Sequence, residues 1–342
     1  MDDKPWKWSK EVSYYEKKDD VVVCGICPHN CIIKQGRSGF CKNYVNYDGK
    51  LYLIGYGNPF TVSIDPIEKK PLFHFKPQTK TLSLAVAGCN FRCLNCQNWS
   101  ISQVSCKDMK NLELWPDQVA DLATKNNCKS VSFTYTEPTT FYEYMFDIAC
   151  LVRDNNISNV MVSNGYINEK PLRSLAKYLD AANIDLKTFD ADVHLKMTHG
   201  TLSPVLKTLK VLKEENVWIE ITNLIVPQWS DDLHVIKLMC EWFAENGLSH
   251  YPLHFSRFSP MYKLTNIPVT PVSVLEKAYK IAKEAGIKYV YIGNVPGNKS
   301  ENTYCPKCGK LLIEREGYTN FGNNMVKGKC GFCGEVIDGV WE

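Results

Sequence analysis

Thr81-Leu82-Ser83-Leu84-Ala85-Val86-Ala87-Gly88-Cys89-Asn90-Phe91-Arg92-Cys93-Leu94-Asn95-Cys96 joins a short apolar run to three closely spaced cysteines. The run reads as a buried strand, because it is too short for a core helix and a glycine stops it. The cysteines then sit in the loop that follows the strand. Downstream, strands are expected at 130–134, 159–163, 183–186, 217–225, 252–256 and 288–292. Helical spacing is expected at 116–126, 139–154, 169–179, 204–215, 231–246 and 271–285. Strands alternating with helices of this length predict an α/β fold with a parallel sheet. Six or seven βα units suit a full or partial barrel in the style of a TIM barrel, which places its chemistry at the C-terminal strand ends.

The sequence divides into a cysteine-rich head at 1–77, the barrel at 78–300 and a short tail at 301–342. In the head, 51–56 alternates like a strand. Pro59, Pro66, Pro71 and Pro77 argue against helices over the rest. Neither a repeat nor a low-complexity tract stands out.

The 342 residues are 44% hydrophobic and 23% charged, which excludes a wholly disordered chain. The formal net charge of +3 lacks the basic footprint of a dedicated nucleic-acid binder. No apolar run approaches the roughly 18 residues of a membrane helix. The polar start contains Trp6 and Trp8 and does not read as a secretory signal. These features lead to an expectation of a cytoplasmic protein without a membrane partner.

Fifteen cysteines are many for such a chain. In a reducing compartment, clustered cysteines bind metal or do redox work more often than they form disulfides. Eleven form three groups: Cys24, Cys27, Cys31 and Cys41; Cys89, Cys93 and Cys96; and Cys305, Cys308, Cys330 and Cys333. Cys106, Cys128, Cys150 and Cys240 stand alone and read as small buried hydrophobes.

In the central group, three thiolates within one loop can each hold an iron of a 4Fe–4S cubane. Full protein ligation takes four. The missing fourth leaves one iron open to chelate a small molecule. Structural zinc is the competing reading, but zinc prefers four ligands, and the nearest histidine in sequence is His74.

The C-x3-C-x2-C spacing after the first barrel strand resembles the radical S-adenosylmethionine (SAM) enzymes. That resemblance implies a cluster whose open iron binds SAM. One electron then cleaves SAM to a 5′-deoxyadenosyl radical, which abstracts hydrogen from a substrate. It also implies an electron donor such as reduced flavodoxin or ferredoxin, and an oxidoreductase or activating enzyme. Thr134-Tyr135-Thr136-Glu137-Pro138-Thr139 occupies the place of a Gly-Gly-Glu type stretch, with Glu137 at the acidic position. By similarity to activating enzymes of the pyruvate formate-lyase type, Glu137, Ser163, Asp185, Lys187 and His254 are expected at the SAM site, with Glu220 and Thr222 on a neighbouring strand. Val162 stands where those enzymes carry an Asp of a cation site, so the resemblance does not extend to that site.

Gly88-Cys89-Asn90-Phe91-Arg92-Cys93, Leu253-His254-Phe255-Ser256-Arg257-Phe258-Ser259-Pro260 and Tyr291-Ile292-Gly293-Asn294-Val295-Pro296-Gly297 look like the radical SAM enzymes of the AmmeMemoRadiSam system. That likeness implies an AMMECR-type and a Memo-like companion.

Cys305, Cys308, Cys330 and Cys333 form two C-x2-C knuckles, each followed by glycine, near the spacing of a zinc ribbon. Rubredoxin-like iron would use the same thiolates. Cys24, Cys27, Cys31 and Cys41 are a second four-thiolate set, where His29 could replace one ligand. Zinc or a second iron–sulfur cluster fits it. Arg37, Lys42, Arg92, Arg257 and Lys263 could face an anionic substrate, though each alone reads as an ordinary surface charge.

Three classes of function compete. A radical enzyme would act on a protein glycine or on a small metabolite. A nucleic-acid or protein-binding module would use the metal-binding ends. A simple electron carrier would need a fourth ligand at the central cluster.

Overall fold

Lys80–Ala85 is buried at every position after the first. A strand covered on both faces has this pattern, because crossover helices shield a parallel sheet. The computed structural model describes residues 5–342. Its main sheet contains β1 (Thr61–Pro66), β2 (Lys80–Ala85), β3 (Ser130–Phe133), β4 (Ser158–Ser163), β5 (Ala181–Asp185), β6 (Trp218–Ile225), β7 (Leu253–Arg257) and β8 (Val290–Gly293). The strands lie in chain order from β1 to β8. β1 is antiparallel to β2. β2 through β8 are parallel.

Sequential order means that every crossover steps the same way, as in a barrel; a doubly wound sheet reverses. Among the described residues β8 does not pair with β1, so the sheet stays open on one side.

The connections are α1 (Pro116–Lys125), α2 (Tyr142–Asp154), α3 (Glu169–Ala176), α4 (Ala191–Thr198), α5 (Leu202–Glu214), α6 (Leu233–Glu245) and α7 (Val272–Glu284). α1 starts on Pro116, whose fixed φ and missing N–H suit a first turn. The side chain of Asp232 caps α6 by accepting from His234 N at 2.8 Å. α5 buries Val205, Leu209 and Leu212 at helical spacing against the sheet.

The sequence expectations differ from the structure in three places. α4 was not anticipated, because Asp192, His194 and Lys196 break up its apolar pattern over only eight residues. β1 was obscured by Pro66, which an edge strand tolerates because its N–H is not needed for the ladder. The strand expected at 51–56 is Lys50–Leu53. It belongs to one of two small three-stranded antiparallel sheets in the head. Their buried Val22, Ile33, Tyr44 and Leu51 join the core that contains Leu82 and Val131.

Residues 67–79 run from β1 back to β2 against the inner face of the sheet. Phe73 N and His74 N donate to the Glu220 carboxylate at 2.9 and 2.7 Å. Asn183 Nδ2 donates to Pro71 O at 2.9 Å. The segment therefore plugs the sheet near the starts of its strands.

The tail covers the open side. Leu312 and Ile313 of its three-stranded sheet, with Ile337 beyond the sheet, cluster with Phe73, Tyr289 and Tyr291. Arg315 donates to Phe73 O at 3.0 Å. His74 Nδ1 contacts Asp338 O at 2.6 Å, and Nε2 contacts the Tyr291 hydroxyl at 2.6 Å. A carbonyl can only accept, so Nδ1 carries the proton and Tyr291 donates to Nε2. Burial lowers the His74 pKa to about 4, which agrees with a neutral ring. Among the described residues, no helix is long and apolar enough to cross a membrane.

Candidate metal and cofactor site

The strand β2 leads through buried Val86 and Ala87 to Gly88, whose φ is +108°. A Cβ there would lie 2.8 Å from Cys41 O and 2.8 Å from Asn43 Nδ2, so only glycine fits. The cysteine loop that follows is pinned on several sides. Arg92 N and Leu94 N donate to Thr198 O and Met197 O at 2.8 and 3.0 Å. The Arg92 guanidinium donates to Cys89 O at 2.8 Å, to Phe91 O at 2.9 Å and to Phe40 O. Cys89 Sγ accepts from Phe91 N at 3.3 Å, and Cys96 Sγ lies 3.2 Å from Ser102 Oγ.

Cys89, Cys93 and Cys96 share the wall of a cavity of about 460 Å³ at the C-terminal strand ends. Thr136 and Glu137 reach it after β3, Ser163 from the end of β4, and Asp185 and Lys187 from the end of β5. Thr222 and Ser256 reach it from β6 and β7. Burial raises the Cys93 thiol to about 12 and the Cys89 thiol well above its ordinary value. Such thiols hold their protons until a cation displaces them. The three share their cavity wall with no fourth cysteine, a donor set that fits a 4Fe–4S cluster with one open iron.

Each candidate has a specific place. Glu137 is buried, and its oxygens accept from Thr139 N at 3.0 Å, Thr139 Oγ1 at 2.7 Å, Ser163 Oγ at 2.8 Å and Asn164 N at 2.8 Å. Its carboxylate braces the ends of β3 and β4 against each other. Burial nevertheless raises its pKa. Ser163 donates to that brace and accepts from Gly165 N at 2.9 Å. Lys187 Nζ lies 2.8 Å from Asp185 Oδ2. Burial opposes the charge on Lys187, but Asp185 and the Cys93 sulfur outweigh it and raise its pKa.

His254 does not line the cavity. Its Nε2 is 2.7 Å from Glu220 Oε2, and its ring stacks on Tyr291 with centroids 5.1 Å apart. Glu220 lies with it beneath the cavity, next to Phe73 and His74. Alternation puts His254 on the same face as Ser256, but one pleat deeper. Burial opposes the charge on Glu220, but its hydrogen bonds, the one with His254 foremost, outweigh burial and lower its pKa. Arg37, Lys42, Arg92, Arg257 and Lys263 are all absent from the cavity wall. Arg257 Nε instead donates to Thr270 O at 2.9 Å.

Lys69 and Lys70 reach the cavity without a signal in the sequence, beside Tyr135 of the Gly-Gly-Glu type stretch. Both lysines bond Asp65, at 2.9 and 2.8 Å, and the Tyr135 hydroxyl also donates to it. Lys70 is 1% exposed, and burial lowers its pKa to about 8 despite the Asp65 carboxylate. In the sequence, Glu68-Lys69-Lys70 has the composition of a solvated charge run, with no signal that it turns inward.

The flanking groups differ from each other. Cys305, Cys308, Cys330 and Cys333 have all four sulfurs within 4.8 Å of one another, with two pairs at 3.6 and 3.7 Å. With metal–sulfur bonds of about 2.3 Å, one tetrahedral ion would hold sulfurs at about this spacing. The head cysteines lie against the central loop. Cys41 O faces Gly88, and His29 Nε2 contacts Asn90 O at 2.7 Å.

Known proteins are similar to this chain over the region that carries the site. Residues 84–239 match the model of the Radical SAM superfamily. The chain is 49% identical to the Methanocaldococcus jannaschii protein called Uncharacterized protein MJ0808, over 96% of this chain and 99% of that one. It is 22% identical to the pyruvate formate-lyase 1-activating enzyme of Escherichia coli K12, over 60% of this chain and 89% of that one. Among solved structures, Streptococcus suis SuiB matches 66% of this chain and 51% of its own, at 18% identity and a TM-score of 0.47. The chain thus belongs to one family with the M. jannaschii protein, carries a radical SAM domain, and is an enzyme that cleaves SAM by radical chemistry.

Proposed function

We propose that the cavity beside Cys89, Cys93 and Cys96 holds SAM and the hydrogen donor together. The supporting observation is that the three thiols share one wall system with the Asp185–Lys187 pair and the strand ends of β3 and β4. The cluster supplies one electron, which breaks the sulfonium bond of SAM to give methionine and a 5′-deoxyadenosyl radical. Cys89, Cys93 and Cys96 hold three of its irons. Lys187 attracts the SAM carboxylate, and Asp185 fixes the ammonium in place. Glu137 orients Thr139, Ser163 and the Asn164 backbone rather than binding SAM through its own oxygens. His254 is not assigned to SAM. On the same strand, Ser256 faces the mouth.

The radical abstracts hydrogen from a substrate whose identity is open. Similarity to activating enzymes favours a second reading, in which that substrate is a backbone glycine of a partner protein. The wider reading places the chain in the AmmeMemoRadiSam system, in the cytoplasm, with AMMECR-type and Memo-like companions and a flavodoxin or ferredoxin as donor. The tail holds zinc, supported by its four gathered sulfurs, and the head holds a metal centre of its own.

The deciding experiment is anaerobic. After reconstitution with iron and sulfide, dithionite and SAM should yield 5′-deoxyadenosine by mass spectrometry, and Cys93→Ala should reduce the yield to background. Production by the Cys93→Ala protein at the wild-type rate would refute the assignment.

A further inference from the structure

We infer that Cys24, Cys27, Cys31 and Cys41 hold a second iron–sulfur cluster, which passes electrons to the central site. The inference rests on the radical SAM reading of that site.

Three observations carry it. The first is the donor set. Three of the cysteines fall within eight residues, Cys24 to Cys31, and Cys41 closes the set. Close runs of this kind hold clusters, whereas structural zinc favours paired knuckles such as those of the tail. His29 does not take a ligand's place through Nε2, which is held by Asn90 O at 2.7 Å.

The second is the spread of the sulfurs. Among the described residues, the tail is the one group of three or more metal-binding side chains gathered within 4.8 Å. No three of the head sulfurs gather this closely, and neither do the central three. Thiolates on a cubane must be wider apart than those on a single ion, because each holds a different iron. Phe40 N donates to Cys31 Sγ at 3.4 Å. Hydrogen bonds of this kind tune a cluster's potential.

The third is position. Cys27 and Cys31 are partly exposed, whereas Cys24 and Cys41 are buried. Cys41 O packs on Gly88, so closely that a Cβ would meet it at 2.8 Å, and the next residue is the ligand Cys89. Arg92 ties Phe40 O, next to Cys41, to Cys89 O. The head therefore connects the surface to the central loop through tightly packed backbone.

In the proposed transfer, a low-potential one-electron donor of the flavodoxin or ferredoxin class reduces the head cluster by one electron. That electron moves to the central cluster and then to the SAM sulfonium. There the carbon–sulfur bond breaks, leaving methionine and the 5′-deoxyadenosyl radical, while both clusters return to their oxidised state.

The test is metal analysis of the reconstituted full chain. About eight irons and eight sulfides are expected, with about one zinc in the tail. A variant with Cys89, Cys93 and Cys96 all changed to Ala should keep about four irons and a reduced-cluster electron paramagnetic resonance signal that SAM does not alter. Four irons with two zincs in the full chain, or no iron in the triple variant, would overturn the inference. In Cys24→Ser, turnover with reduced flavodoxin relative to turnover with dithionite should fall at least ~10-fold, about 1.4 kcal/mol of barrier; an unchanged ratio would remove the relay. If Cys24→Ser fails to fold, the triple variant still reads the head alone. A missing SAM effect on the wild-type signal counts against the proposed function, whereas iron kept by the triple variant speaks for the head cluster independently.

Discussion

The mouth and the base of the barrel are built from the same strands, two residues apart. On β6, Thr222 faces the cavity while Glu220 lies below it; on β7, Ser256 faces the cavity while His254 lies below it. At the mouth, Asp185 and Lys187 have one polar partner each and an open cavity beside them. At the base, each Glu220 oxygen has two partners: Oε1 accepts from His74 N and Trp218 Nε1, and Oε2 accepts from Phe73 N and bonds His254. A buried carboxylate so completely paired is a structural element. Function sits where polar groups retain capacity.

That contrast can be tested, beginning with the largest effect. Glu220→Ala should leave His254 and two backbone N–H groups without a buried acceptor, at a cost of about 3–5 kcal/mol in unfolding by urea. The folded fraction should keep its SAM-sensitive cluster signal. Equal stability to wild type would show that Glu220 is not what holds the 67–79 plug against the sheet.

The tail comes next. Cys330→Ser, or a strong chelator on the wild type, should lower the melting temperature by on the order of 5 °C while the central cluster retains its iron. A loss of central iron instead would mean that the two ends of the chain are not separable.

At the mouth, Lys187→Met should weaken SAM binding to the cluster-loaded protein by roughly tenfold, or about 1.4 kcal/mol, with little change in melting temperature. If melting falls as far as in Glu220→Ala, the ion pair belongs with the structural group.

The smallest effect is one of pH. Glu220 has its pKa lowered by the fold, so its ionised form stabilises the native state above the unfolded carboxylate pKa, about 4.3. That contribution disappears as the pH falls through the lowered folded value. The stability gap between wild type and Glu220→Gln should therefore be widest near neutrality and narrow below about pH 4. A constant gap across this range would assign the stability to packing.

The parallel array was legible in the sequence because short, largely apolar stretches alternated with helix-length segments that kept an apolar stripe. The central cysteines were legible for a different reason, since three thiolates at that spacing have few other uses. The plug at 67–79 was not. Its partners lie more than a hundred residues away, as Phe73 and Glu220 do, and no local pattern encodes such a contact. His254 is expected at the SAM site by resemblance and yet lies below the cavity, because a match in sequence does not give a residue's depth along its strand. Glu137 was found by position, but its four hydrogen-bond donors depend on neighbouring loops that no spacing reveals.

The covering of the open sheet edge by the tail bears on the order of assembly. Ribosomal synthesis releases residues 303–342 after everything they rest on, and His74 waits for Asp338, 264 positions later. Until then Phe73 and Tyr291 lack their cover, and the nascent barrel keeps an apolar flank. Emergence of residues 303–342 is thus also the step that protects this flank, and a message cut short before the last knuckle would leave a product exposed to aggregation and to cellular proteases.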